Sequence, residues 1–421
     1  MTHFAVVAPP LPGHYNPLLV LARELGRRGH EVTFAHMADA AALVAGRGAR
    51  FAAVGPASHP PGALGAYLHR LAHPGGLFGF LAMLRATAGI TDMLCRDLPG
   101  ALAAIGAEAV IADQTEAAGV LVARHLGLPA VSTATALPLN REPGVPPPFV
   151  PWPYDPSERG RVRNRGGYRV TDLLMTPMRR VLTRHGAAFG LDPNADQGFS
   201  PLLTVAQMPA GLDFPRLELP ANFHYGAPWR DGEDIAALPW TPPRADGRPL
   251  VFCSLGTLQG ARGDLFAKVA RAAARCGARL LIAHGGLLSA AEAARLAPVA
   301  EVHAFVPQRA VLRQCAAAVL HCGMNTVLDA LAAGVPLVAL PIAFEQPATA
   351  ARLAFAGAAE VVPAGRAGAG RLTRALEGVL REPRYRAAAR RLAADMAGHG
   401  GVADAADRIE AAVGRGHPRG P

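Results

Sequence analysis

Short apolar runs closed by glycine, proline or asparagine alternate along this chain with longer stretches in which apolar residues recur every three or four positions. Near the N-terminus the runs at 4–8, 31–34, 110–112 and 130–133 read as buried strands with helices between them. In the first of those helices Leu18, Leu21, Ala22 and Leu25 share one face, with Asn16 as N-cap and Pro17 as first helical residue. The rhythm gives way at 227–249, a stretch rich in Pro, Asp, Arg and Gly. It then restarts with strands at 250–254, 280–283, 301–305, 316–320 and 337–340, and helices at 265–275 and 326–333. This alternation predicts an α/β fold with two doubly wound parallel sheets. The expected division is a first domain over 1–226, a linker over 227–249, a second domain over 250–398, and a C-terminal helix and tail over 399–421.

Composition narrows the class. The chain has 421 residues, 51% of them apolar and 18% charged, which suits folded domains with their own cores and excludes a disordered chain. Net charge is +10, carried almost wholly by arginine; Lys268 is the lysine among 42 basic residues. Those arginines are scattered, without the interleaved aromatics of a nucleic-acid groove, so no nucleic-acid partner is expected. The five cysteines (Cys95, Cys253, Cys276, Cys315, Cys322) show no CxxC or His-pair spacing. They predict a reducing cytoplasm and no metal site or disulfide scaffold. The N-terminus enters a strand directly, without the features of a signal peptide. The apolar stretch 77–93 is interrupted by Arg85 and Asp92 and the run 335–344 by prolines, so no membrane span is expected.

Candidate chemistry concentrates at 305–346. An apolar run leads into His321-Cys322-Gly323-Met324-Asn325-Thr326, then a helix closed by Gly334 and a second strand. A turn of small and polar residues at a helix N-terminus is suited to phosphate, because free backbone N–H groups and the helix dipole both face the anion. Asp329 falls one turn on, where a carboxylate can accept bonds from ribose hydroxyls.

The order Phe305-Val306-Pro307-Gln308, His321 to Thr326, Asp329 and Glu345-Gln346 resembles the nucleotide-sugar signature of UDP-sugar-dependent glycosyltransferases of the GT-B architecture. The resemblance implies two Rossmann-like domains facing a cleft and assigns a role to each matching position. Phe305 stacks on uracil, the Val306 backbone reads the base edge, and Gln308 belongs to the same donor site. His321, Asn325 and Thr326 hold the diphosphate, Gly323 allows close approach, Asp329 holds ribose, and Glu345 and Gln346 hold the sugar. The family usually has Asp where this chain has Glu345, one methylene longer, which leaves the hexose open. Ser254, Gly256 and Thr257 match a loop closing over the donor; Ser254 and Thr257 either touch phosphate or sugar, or shape the turn.

The same resemblance bears on Pro12-Gly13-His14-Tyr15-Asn16-Pro17. On the residues alone His14 is a turn or capping residue; by resemblance it is the general base of an inverting transferase, paired with Asp113. A neutral imidazole can take the proton an attacking alcohol must lose, and a carboxylate on its far nitrogen fixes the tautomer. No Asp-x-Asp motif is present, so neither a metal nor another cofactor is expected. C-terminal helices near 384–397 and 403–413 would, in this family, often cross back to the first domain.

The resemblance narrows further at 58–64, 91–99, 136–143, 212–216 and 254–260, which are similar to the carotenoid-modifying members that glucosylate zeaxanthin. It implies glucose transfer from UDP-glucose to the ring hydroxyls of zeaxanthin, once or twice, with inversion. A macrolide, polyketide or sterol acceptor, or a non-catalytic carotenoid- or nucleotide-binding protein, are the alternatives. The apolar stretches 77–84 and 144–152 either line an acceptor cleft or form core. The basic stretch 161–184 is either a membrane-surface segment, making the protein peripheral on the inner face of the membrane, or a solvated helix face.

Overall fold

The computed structural model describes residues 1–72, 76–192, 198–232, 240 and 246–416. The first sheet has seven strands: β1 (His3–Val7), β2 (Glu31–His36), β3 (Arg50–Ala53), β4 (Ala109–Asp113), β5 (Ala130–Ala134), β6 (Thr204–Ala206) and β7 (Phe223–His224). They lie in the order β3-β2-β1-β4-β5-β6-β7. The second has six: β8 (Leu250–Ser254), β9 (Arg279–Ala283), β10 (Glu301–His303), β11 (Ala317–Leu320), β12 (Leu337–Ala339) and β13 (Ala359–Val361). Their order is β10-β9-β8-β11-β12-β13. Every pairing in both sheets is parallel. Helices cover both faces, so β4, β5 and β8 are buried along their whole length and mostly apolar, the polar exceptions being Asp113, Ser132, Thr133 and Ser254.

In each sheet the strand order reverses at one place, between β1 and β4 and between β8 and β11. The crevice outside the strand ends at such a switch is where open α/β sheets bind ligands. Register fixes what meets there: Val7 is level with Ala112, and Ser254 with Leu320.

Three elements differ from the sequence reading. The first helix runs Pro12–Arg27, with Leu11 rather than Asn16 at its N-cap, so His14 lies in the first helical turn and not before it. Pro12 provides the favoured first-turn proline, while Pro17 sits inside the helix and Asn16 accepts a bond from Arg47. The strand expected to reach 305 stops at His303. The helix expected from 326 begins at Met324, which brings Asn325 and Thr326 into its first turn. Of the linker at 227–249, residues 233–239 and 241–245 lie outside the described residues, as does the tail from 417; Trp229, within the linker, is buried in the core of the first sheet.

The final helix, Gly401–Gly416, returns to the first domain. Ala405, Ala406, Ile409, Ala412 and Val413 join its core, and Arg28 donates to Asp407 and Glu410. The helix Gly76–Ala104 contains a stretch, Phe78–Ala104, long and apolar enough by length and composition to cross a membrane. Its Met93, Leu94, Cys95, Leu98 and Leu102 are built into the core. A second tie is a buried ion pair. Arg352, on the helix Gln346–Phe355 of the second domain, donates to Asp213 of the first at 2.6 Å, with its guanidinium 4.4 Å from the centre of the Phe214 ring. Arg216 and the Tyr225 hydroxyl fill the other Asp213 oxygen, and the Phe214 backbone N–H joins Arg352 on the first, so the buried charge is satisfied by four donors.

Candidate active site

His14 and Asp113 meet at the switch of the first sheet, one following β1 and the other ending β4. His14 Nδ1 stands 3.2 Å from Asp113 Oδ2, and the Asp113 side chain is fully buried. The carboxylate is held from its other oxygen by the Thr115 backbone N–H, at 2.9 Å, and by the Thr115 hydroxyl. Sequence reading missed Thr135, whose hydroxyl donates to Asp113 Oδ2 and lies 2.9 Å from His14 Nδ1. Four donors converge on one carboxylate, with His14 Nδ1–H among them, so the imidazole lone pair sits on Nε2 at the opposite edge of the ring.

The electrostatics follow from burial and proximity. Burial opposes the His14 imidazolium, but the Asp113 charge and hydrogen bond, with Glu345 and Glu116 adding to them, hold its pKa above the ordinary 6.5. Burial likewise opposes the Asp113 carboxylate, yet His14, Thr115 and Thr135 hold it below the usual range. Glu116, in the same loop, is pushed up to about 7 by burial against the pull of the Thr91 hydroxyl.

Across the cleft, the turn after β11 brings most of the expected donor residues together. Gly256 follows β8 with a positive φ of 75°, and Cys322 adopts φ 70°. The His321 ring is wedged between two glycines: a Cβ at Gly256 would come within 2.6 Å of its Nε2, and one at Gly323 within 2.5 Å. Its buried Nδ1 has no hydrogen-bond partner, and burial pushes its pKa down to about 4. His321 is therefore neutral at physiological pH and offers an anion an N–H rather than a charge. Ser254 is buried and accepts from the Gly256 N–H, while Thr257 is exposed. Thr326 is half-buried in the first turn of Met324–Ala332.

Asn325 joins the two domains. Its Nδ2 donates to the Gly13 carbonyl at 2.7 Å, and its Oδ1 accepts from Gln207 at 2.9 Å. The Gly13 carbonyl is free because Pro17, four residues on, has no N–H to claim it. Asp329 is held by Gln308 at 2.7 Å and by Arg230 at 2.8 Å. Arg230 also donates to the Asn325 carbonyl and to Gln207. Neither Arg230 nor Gln207 was foreseen; the segment 227–249 drew attention for composition alone, although an arginine there is a counter-ion for any anion in the cleft.

Phe305 is 56% exposed, its ring lying over Gly286, and Val306 beside it is buried. Glu345 precedes the helix Gln346–Phe355 and is close enough to His14 to raise its pKa; burial raises that of Glu345 itself. The Gln346 carboxamide oxygen accepts from the Ile342 and Ala343 backbone N–H groups at 2.9 and 3.0 Å, which fixes the side chain and commits its oxygen. Among the described residues no three His, Cys, Asp or Glu side chains are grouped to hold a metal ion.

A family model described as UDP-glucoronosyl and UDP-glucosyl transferase matches residues 204–395. The chain is 43% identical over 361 residues to the zeaxanthin glucosyltransferase of Pantoea ananas, covering 85% of this chain and 84% of that one. It is 41% identical over 366 residues to the zeaxanthin glucosyltransferase of Pseudescherichia vulneris, with 85% of each chain covered. Among solved structures, the glycotransferase of kitacinnamycin superposes with a TM-score of 0.77 at 23% identity, over 98% of this chain and 99% of that one. The two parallel-sheet domains and their cleft are those of a glycosyltransferase with the GT-B architecture. By sequence the chain belongs to the UDP-glucoronosyl and UDP-glucosyl transferase family.

Proposed function

We propose that this enzyme transfers glucose from UDP-glucose to the ring hydroxyls of zeaxanthin, forming the monoglucoside and then the diglucoside with inversion at the anomeric carbon. The observation that carries the chemistry is the His14–Asp113–Thr135 cluster facing the turn at 321–329 across the cleft. The acceptor rests on the two relatives named for zeaxanthin, each above 40% identical to this chain.

In this reading His14 Nε2 takes the proton of the acceptor hydroxyl as its oxygen attacks the anomeric carbon. Asp113 stabilises the imidazolium that forms and holds the ring in the required tautomer. Attack from the His14 side, with the diphosphate leaving toward Met324–Ala332, inverts the sugar. The first-turn N–H groups of that helix, Asn325, Thr326, the close-approach turn at Gly323 and the neutral His321 receive the diphosphate charge, with Ser254, Gly256 and Thr257 closing the other side. Asp329, fixed by Gln308 and Arg230, takes the ribose hydroxyls. Phe305 stacks on the uracil beside the Val306 backbone. Glu345 and the free amide nitrogen of Gln346 hold the glucose. No metal enters the scheme.

The test is the purified protein with zeaxanthin in detergent micelles, UDP-glucose and EDTA, resolved by chromatography and mass. Successive gains of one and two hexoses, β-linked by NMR, are expected. His14→Ala should lower turnover by roughly two to four orders of magnitude. Transfer to other hydrophobic alcohols but not to zeaxanthin would discard the carotenoid acceptor, and activity abolished by EDTA would discard the metal-free scheme.

A further inference from the structure

Beside the reaction cleft lies a cavity that none of the roles above uses. It has a volume of about 590 Å³ and is walled by both domains. Pro151, Pro153 and Tyr154 come from the first. Ile342 and Pro347, with one face of the helix Gln346–Phe355, come from the second. That face is made of Pro347, Ala351, Ala354 and Phe355, positions that share one side of a helix, while Ala348 and Arg352 point into the core. No charged side chain is among the described residues lining it, and its volume is in the range of ligand sites.

Two features tie this cavity to the reaction. The first is continuity. Ile342 donates its N–H to Gln346, Pro347 follows Gln346 directly, and Glu345 lies within electrostatic reach of His14. The cavity thus begins where the sugar pair ends. The second is rigidity. Tyr154, Phe214 and Phe355 pack with ring centres 5.3 to 5.6 Å apart, next to the buried Arg352–Asp213 pair. Its two walls are therefore held in a fixed relation although they belong to different domains.

We propose that this cavity seats the apolar chain of the acceptor, the part that projects away from the hydroxyl being glucosylated. The proposal rests on the carotenoid reading given above. A rod-shaped diol presents one ring to His14 and must lead the rest of its hydrocarbon out between the domains. A wall of proline, alanine and aromatic side chains accepts such a chain without leaving a polar group unpaired. The small side chains of Ala351 and Ala354 set the width of the seat, so the enzyme favours long apolar alcohols over truncated ones with the same ring.

Ala354→Trp fills the cavity and Ala354→Glu charges it; the position is exposed, so neither substitution disturbs the core. Two measurements are made on wild type and both variants: kcat/KM for zeaxanthin and for 3-hydroxy-β-ionone, which keeps a hydroxylated ring and loses the polyene, and retention of zeaxanthin by its visible absorption after gel filtration. Both variants are expected to lose at least tenfold more kcat/KM on zeaxanthin than on the short alcohol, and to retain less carotenoid. Equal losses on the two acceptors, or no loss on zeaxanthin, overturn the seat and leave the glucosyl transfer standing. If wild type glucosylates neither acceptor, the functional reading fails, and the seat is judged on retention alone: equal retention by all three proteins overturns it.

Discussion

Asp113→Asn is the most incisive substitution this site offers, because it removes a charge and little else. The side chain is fully buried and its Oδ2 stands 3.2 Å from His14 Nδ1. A hydrogen bond to a charged group contributes about 1.5–3 kcal/mol. If that stabilisation is needed mainly when the imidazolium forms, kcat falls about 10- to 150-fold at one decade per 1.4 kcal/mol. The pH profile carries a second signature. His14 must be neutral to accept a proton, so kcat/KM declines as pH falls through its pKa, which Asp113 holds above 6.5. Removing the carboxylate moves that limb to lower pH, and the deficit of the variant therefore shrinks toward acid. UDP release followed from pH 5 to 9 reads both effects. An unchanged kcat, or a limb that stays in place or moves up, would refute the assignment of Asp113 as the partner of the base.

Further predictions address the supports of the site. Arg230→Gln should raise the donor KM and the Kd for UDP by roughly 10- to 150-fold, since one charge-assisted contact to Asp329 is lost, with a smaller effect on kcat and partial rescue by lysine; calorimetry with UDP checks it, and a change confined to the acceptor KM contradicts it. Gly323→Ala places a Cβ 2.5 Å from His321 Nε2, so UDP affinity should drop while the circular dichroism spectrum is retained. Arg352→Met leaves the buried Asp213 with one of its two arginine partners and should cost up to about 3–5 kcal/mol, visible as a lower Tm that a second change, Asp213→Asn, partly restores. Glu116 ionises near 4.5 when unfolded and near 7 when folded, so it erodes stability as pH rises between those values, by on the order of 3 kcal/mol in full. Glu116→Gln should accordingly raise Tm at pH 8 and leave it nearly unchanged at pH 4, and equal effects at the two pH values would contradict the assignment.

The legible part of this protein was local. Strand β8 is readable residue for residue because it is a continuous apolar run closed by a polar turn, as a strand covered on both faces must be. The turn at 321–326 reads as a candidate anion site because glycine, asparagine and a helix start are neighbours in sequence, and the structure places Asn325 and Thr326 in the first turn of that helix. What escaped was made by tertiary contact. Thr135 acquires meaning only because β5 lies next to β4, bringing it beside an aspartate 22 residues earlier. Arg230 lies 99 residues from Asp329, and Arg352 lies 139 from Asp213. No periodicity reports such distances. The misplaced start of the first helix has a different origin. Asn16-Pro17 is a good initiation signal, but Pro12 offers the same signal one turn earlier, and a proline at position six of a helix forfeits a single backbone bond.

That forfeited bond bears on protein engineering. Because Pro17 leaves the Gly13 carbonyl to Asn325, a residue usually regarded as a helix breaker serves the opposite domain. Chimeras that graft this N-terminal half onto another transferase's C-terminal half would need to carry the proline and the asparagine together. A graft that brings an alanine at 17 supplies an N–H that competes with Asn325 for the Gly13 carbonyl, and the seam between parents is weakened without any visible clash to warn the designer.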